Sequence, residues 1–90
     1  MRYRVTLVRS AVKELDALPK KAHEKIIERL RGLETDPRQF GAEKLTGLDA
    51  YKLRVGNYRI IYEINDREKE VRVSMVDDRK QVYQRLRRKR

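Results

Sequence analysis

Apolar positions recur along this chain with two different periods, and the change of period divides it into a helical part and a sheet part. Near the start, Tyr3, Val5 and Leu7 alternate with polar neighbours and predict a strand over Tyr3 to Val8. Ser10 is placed to cap a short helix with Ala11, Leu15 and Leu18 on its apolar face, and Pro19 stops it. A second helix is predicted from about Lys21 to Glu34. Its stripe is Ala22, Ile26, Leu30 and Leu33, widened by Ile27. Thr35-Asp36-Pro37 ends it.

Residues 36–50 read as a loop anchored by Phe40, Leu45 and Leu48. The period then becomes two. Tyr51, Leu53 and Val55 alternate with Lys52 and Arg54; Tyr58, Ile60 and Tyr62 alternate with Arg59 and Ile61. Gly56-Asn57 between these runs is a two-residue hairpin signal, with glycine where a type II′ turn needs positive φ. Asn65-Asp66 starts a second turn, and Val71, Val73 and Met75 mark a last strand. Asp77 or Asp78 is then expected to cap a C-terminal helix carrying Val82, Tyr83 and Leu86. The expected order is β-α-α-β-β-β-α. Strands and helices are segregated, which predicts an α+β fold: a mostly antiparallel sheet with a helical hairpin packed on one face. The length of 90 residues suits one domain spanning 1–90.

Composition narrows the function classes. With no cysteine, a disulfide framework and a thiolate metal site are both impossible, which fits a reducing cytoplasm. No apolar run approaches the roughly 20 residues of a membrane span, and nothing after Met1-Arg2-Tyr3-Arg4 resembles a signal peptide. The net charge is +10, and the stretch from Arg79 to Arg90 holds seven basic residues and no acid. A polyanion is the natural partner of such a surface, RNA or DNA first. An acidic protein comes second and a membrane surface third, because the tail lacks bulky apolar residues.

The hairpin places that charge. If Val55 pairs with Tyr58, Arg54 lies opposite Arg59 and Lys52 opposite Ile61, so three basic side chains share one face. Leu53, Val55, Tyr58 and Ile60 then face the helices, as do Val71, Val73 and Met75, leaving Arg72 and Ser74 with the basic face. Like charges directly opposite in a sheet are destabilising. Tyr51 to Tyr62 contains three basic residues and no acid, a departure from local economy of the kind that marks function. A solubilising basic strand face is the plainer alternative. His23, the only histidine, reads as a solvated helix residue, and one histidine without cysteine is poor evidence for a metal site. Tyr51, Tyr58 and Tyr62 read as core or sheet-edge residues. Tyr83, among Arg79, Lys80 and Arg85, is placed either to stack on a base or to pack in the core. Arg87, Arg88 and their neighbours read as an electrostatic tail that binds phosphate without reading sequence.

Three strings, Lys44-Leu45-Thr46-Gly47, Tyr51 to Tyr62 and Asp78-Arg79-Lys80-Gln81-Val82-Tyr83, resemble the RelE/ParE toxin superfamily. The likeness extends to Leu15-Asp16-Ala17-Leu18-Pro19 and Asp36-Pro37, and so covers nearly the whole chain. The resemblance implies a RelE-like microbial ribonuclease fold and a type II toxin–antitoxin pair with a RelB-like antitoxin. In the RelE branch it implies metal-independent, cofactor-independent cleavage of mRNA in the ribosomal A site, by attack of the ribose 2′-hydroxyl on the adjacent phosphate.

On that resemblance Lys52 is the general base, Arg54 holds the phosphate, and Arg59 stabilises the phosphorane. Arg79 assists the leaving oxygen, and Tyr83 stacks on the substrate base. Arg72, Lys80, Arg85, Arg87 and Arg88 are the expected RNA-backbone contacts. Preorganised cations stabilise a dianionic phosphorane, and a lysine crowded by Arg54, Arg59 and Arg79 is expected to have a lowered pKa. Arginine is a poor acid, so the Arg79 role is charge stabilisation first. Such a weak acid–base set requires the ribosome to position the substrate. Some sister branches use a His and a Glu near the C-terminal motif; Arg79, Lys80 and Gln81 stand there instead. The alternatives are a ParE-like inhibitor of DNA gyrase without nuclease activity, and an inactive RNA-binding homologue.

Overall fold

The computed structural model describes residues 2–47 and 50–78. In chain order the elements are β1 (Arg4–Leu7), α1 (Arg9–Asp16), α2 (Lys20–Gly32), β2 (Ala42–Lys44), β3 (Tyr51–Val55), β4 (Tyr58–Asn65) and β5 (Glu70–Asp78). The five strands form one sheet in the order β1-β5-β4-β3-β2. Three pairings are antiparallel, and β1 runs parallel to β5, with Val5 beside Val71 and Leu7 beside Val73. The α+β architecture expected from the two periods is therefore present.

Both helices lie on one face of the sheet. Ala11 and Leu15 of α1, with Ile26, Leu30 and Leu33 from α2 and its end, pack on Leu53, Val55, Ile60, Tyr62, Val71, Val73 and Val76. These are the positions that helical and alternating spacing selects. Their removal from water is the main source of stability in a domain this small.

Three local expectations are corrected. First, Ser10 does not cap α1. The helix begins at Arg9 with Val8 as its extended N-cap and no side-chain cap, because Val8 is still bonded to β5 through Val73 O (3.0 Å) when the helix starts. Pro19 begins α2 as much as it ends α1, a position where its missing N–H costs nothing.

Second, the segment read as a loop contains the edge strand β2, paired with Tyr51 to Leu53. Three residues are too few to display a period. Phe40, expected to anchor that segment, is 98% exposed. Polar contacts hold the loop instead. Arg29 Nε donates to Gln39 Oε1 (2.9 Å), Gln39 Nε2 donates to the Arg29 carbonyl (3.3 Å), and Tyr62 OH donates to the carbonyl of buried Pro37 (2.8 Å).

Third, Met75 does not face the helices. A bulge at Ser74 shifts the register, so that Ile61 pairs with Met75 but Tyr62 pairs with Val73. Beyond it Val76 turns to the core. Met75 joins Ile61, Ala50 and half-buried Leu45 in a small apolar cluster apart from the main core. Asp77 and Asp78 are strand residues of β5. The expected C-terminal helix lies outside the described residues.

At the β4–β5 turn a polar clasp ties distant segments together. Asp66 accepts hydrogen bonds from Tyr3 OH (2.6 Å) and from both terminal nitrogens of Arg38 (2.9 and 3.2 Å). Arg38 Nε donates to Tyr51 OH (3.2 Å), and the Tyr51 ring stacks on Tyr62. These contacts hold the Asp66 carboxyl down at about 2 and push the Tyr3 phenol up, in each case chiefly through a hydrogen bond to the charged partner.

Candidate active site

The Gly56-Asn57 turn sets the register of β3 and β4. Val55 pairs with Tyr58, Arg54 with Arg59, Leu53 with Ile60, and Lys52 with Ile61. Alternation then directs Lys52, Arg54 and Arg59 to the face away from the helices. The three differ in environment. Arg54 is exposed, Lys52 is half-buried, and Arg59 is 4% exposed. Arg59 Nη1 donates to the Tyr58 carbonyl (3.4 Å), while its buried Nε has no hydrogen-bond partner among the described residues. An unsatisfied buried donor of this kind costs about 1–3 kcal/mol.

Neighbouring strands qualify the basic character of the hairpin. Glu43 on β2 is in register with Lys52, and Asp77 on β5 is in register with Arg59. Arg54 is the basic residue of the hairpin with no acid opposite it in the sheet register. Sequence reasoning missed both acids, one because β2 is too short to see and the other because the bulge re-aims Asp77. Arg72 shares the face but stands opposite Glu63, four residues along β4 from Arg59. That separation is about 13 Å at strand rise. Between them the face is apolar, formed by Ile61 and Met75. Arg79, Lys80, Tyr83, Arg85, Arg87 and Arg88 lie outside the described residues; among the expected site residues that are described, Lys52, Arg54 and Arg59 come together and Arg72 stands apart.

Chemically, the arrangement offers two guanidinium groups in register and an amine two residues along the same strand, which suits a phosphate better than a neutral ligand. Among the described residues no group of histidines and carboxylates is arranged to hold a metal ion. Nor is any helix there long and apolar enough to cross a membrane.

Comparison with solved structures places this fold in a known class, the toxins of the RelE/ParE family. The chain is similar to RelE in the archaeal RelE–RelB complex from Pyrococcus horikoshii, with 34% identity over 89% of this chain and 98% of that one and a TM-score of 0.80. The RelBE2 toxin–antitoxin complex from Mycobacterium tuberculosis matches at 26% identity over 88% and 100% of the two chains, with a TM-score of 0.79. The isolated RelE toxin of Escherichia coli matches at 27% identity over 97% of each chain, with a TM-score of 0.75. No curated protein matches the sequence. The family model for the ParE toxin of type II toxin–antitoxin systems matches residues 5–83, and the chain belongs to this RelE/ParE toxin family.

Proposed function

We propose that the chain is a ribosome-dependent endonuclease that cuts mRNA in the A site and so inhibits translation. The observation that carries this reading is the in-register pair Arg54 and Arg59 with Lys52 on the same face. Two guanidinium groups held opposite one another repel, and an anion between them reverses the sign of that interaction. In the reaction Lys52 takes the proton of the ribose 2′-hydroxyl. The 2′-oxygen bonds to the adjacent phosphorus, and the bond to the 5′-oxygen breaks. A 2′,3′-cyclic phosphate and a 5′-hydroxyl remain, the 5′-oxygen taking its proton from water and Lys52 returning the one it accepted to solvent. Arg54 and Arg59 carry the charge that accumulates on the phosphorane. Arg59 is covered in the present conformation and must turn outward to join Arg54. Arg79 and Tyr83 complete the site on the family resemblance, as leaving-group stabiliser and base-stacking residue.

Two of these relatives were solved as toxin–antitoxin complexes, RelE with RelB and RelBE2. By analogy the partner here is a RelB-like antitoxin in a hetero-oligomer that silences the toxin, in the cytoplasm, where ribosomes and mRNA are found. Co-expression tests it: a neighbouring small protein that neither binds the chain nor relieves growth arrest removes the antitoxin reading.

Primer extension on translated mRNA tests the chemistry. Cuts at A-site codons are expected with the unaltered chain. They should fall at least about 100-fold with Arg54→Ala or Lys52→Ala, with the fold retained by circular dichroism. The match to the ParE family favours one second reading, a gyrase inhibitor. Accumulated DNA breaks with intact mRNA would establish it and overturn the nuclease.

A further inference from the structure

Away from the basic hairpin face, a groove runs between α2 and the β3–β4 turn. Lys21, Ala22 and Lys25 line one wall, and Val55, Gly56, Asn57 and Tyr58 line the other. It continues past Lys25 to Glu28 and Arg29. Lys21 and Lys25 are one helical turn apart and exposed. A Cβ at Gly56 would meet nothing within 4 Å, so the turn leaves the groove open.

Arg29 connects this groove to Phe40. Its Nη2 donates to the Phe40 carbonyl (3.4 Å) and its Nε to Gln39 (2.9 Å). The residues around Phe40 are fixed: Arg38 is clasped to Asp66, Gln39 to Arg29, and Ala42 N to the Gln39 carbonyl (2.9 Å). Gly41, at φ +96°, turns the chain into β2. A lone exposed apolar side chain is ordinary on a protein surface. A phenyl ring displayed on a pinned loop, with no role in the core and beside a lysine-lined groove, combines the two features that single-stranded nucleic acid uses: a stacking platform and an electrostatic track.

We propose that Phe40 and the groove beside it form a second RNA-binding surface, with one unstacked base on the Phe40 ring and the adjoining phosphates along Lys25 and Lys21. Charge favours RNA over an acidic peptide as the argued occupant only together with the ring, since both ligands are anionic and the base supplies the π-face. Glu28 borders the end nearer Arg29 and limits the phosphate track to the Lys21–Lys25 end. The inference takes from the proposed function only that RNA is the partner. This surface uses the hairpin turn as one wall, apart from the side chains of Lys52, Arg54 and Arg59, and needs no catalysis.

The test uses the full chain and a short 2′-O-methyl RNA, which the proposed reaction cannot cut, carrying a 2-aminopurine base. Binding to the unaltered protein should quench its fluorescence through stacking. Phe40→Ala should remove the quench and weaken binding about tenfold or more, and Phe40→Trp should restore both. Thermal unfolding of Phe40→Ala should match the parent, because the ring is 98% exposed. Changing Lys21 and Lys25 together to Gln should flatten the slope of log affinity against log salt by about 1.4, the value for two phosphates on a single strand. Equal quenching by Phe40→Ala, or an unchanged salt slope in the double variant, overturns the proposal. So does a Phe40→Ala variant that binds RNA normally but no longer binds its antitoxin, which would assign the surface to a protein. Absent A-site cuts with intact stacking would remove the nuclease reading and leave this one standing.

Discussion

Asp66 accepts hydrogen bonds from Tyr3 and from both terminal nitrogens of Arg38 while remaining open to solvent. Its carboxyl is held at about 2, below the ordinary aspartate value, first by the Arg38 hydrogen bond and then by that of Tyr3. A lowered folded-state pKa means the folded chain resists protonation that the unfolded chain accepts. The contribution is present above about pH 4 and is lost as pH falls toward 2. Melting temperatures of the parent and Asp66→Asn should therefore differ at pH 6 and converge by pH 2. A constant gap would show that the clasp acts through shape alone.

Tyr62 behaves with the opposite sign. Burial pushes its phenol up to about 12. The unfolded chain ionises near pH 10 and the folded one does not, so stability is complete below pH 10 and falls through 12. Tyr62→Phe removes that alkaline loss. At neutral pH it should cost about 1–2 kcal/mol, since the Pro37 carbonyl loses its donor. Chemical denaturation at pH 7 and pH 11 measures both effects.

The bulge at Ser74 organises the longest strand. Before it, Val71 and Val73 point to the helices; after it, Val76 does, while Met75 and Asp77 are re-aimed to the opposite face. Deleting Ser74 would close the bulge and leave a regular alternation, with Val71, Val73 and Val76 still facing the helices and Met75 and Asp77 still on the opposite face. That deletion should therefore retain the fold, at a cost of about 1–2 kcal/mol. Ser74→Ala, which loses only a 3.3 Å bond to the Ile61 carbonyl, should cost about 1 kcal/mol or less. Equilibrium unfolding of the two variants separates register from hydrogen bonding.

Legibility also divides at the level of elements. The hairpin register was readable because Gly56-Asn57 fixes it locally and the flanking alternation agrees. The stripe of α2 was readable because thirteen residues show a period. The bulge was not, because Val73-Ser74-Met75 looks like simple alternation and the extra residue is defined only by its partner strand. Nor was Glu43 opposite Lys52, which depends on a strand of three residues. The burial of Arg59 was not readable either, because alternation assigns a side chain to a face and not to a depth of cover.

At the scale of the whole molecule, β1 and β5 are neighbours in the sheet although nearly the full described chain separates them. Glu14 strengthens the same seam by accepting a hydrogen bond from Val76 N (2.9 Å), where β1 no longer reaches. Sheets closed by such distant contacts form late. During synthesis, residues 4–7 must wait for residues 70–78 to leave the exit tunnel before they have a strand to join. Stalled chains exposing residues up to 69 should be digested by protease, and those exposing residues through 78 should resist it. A toxin with this topology is born unarmed: its first strand has no place in the sheet until the last described strand has been made.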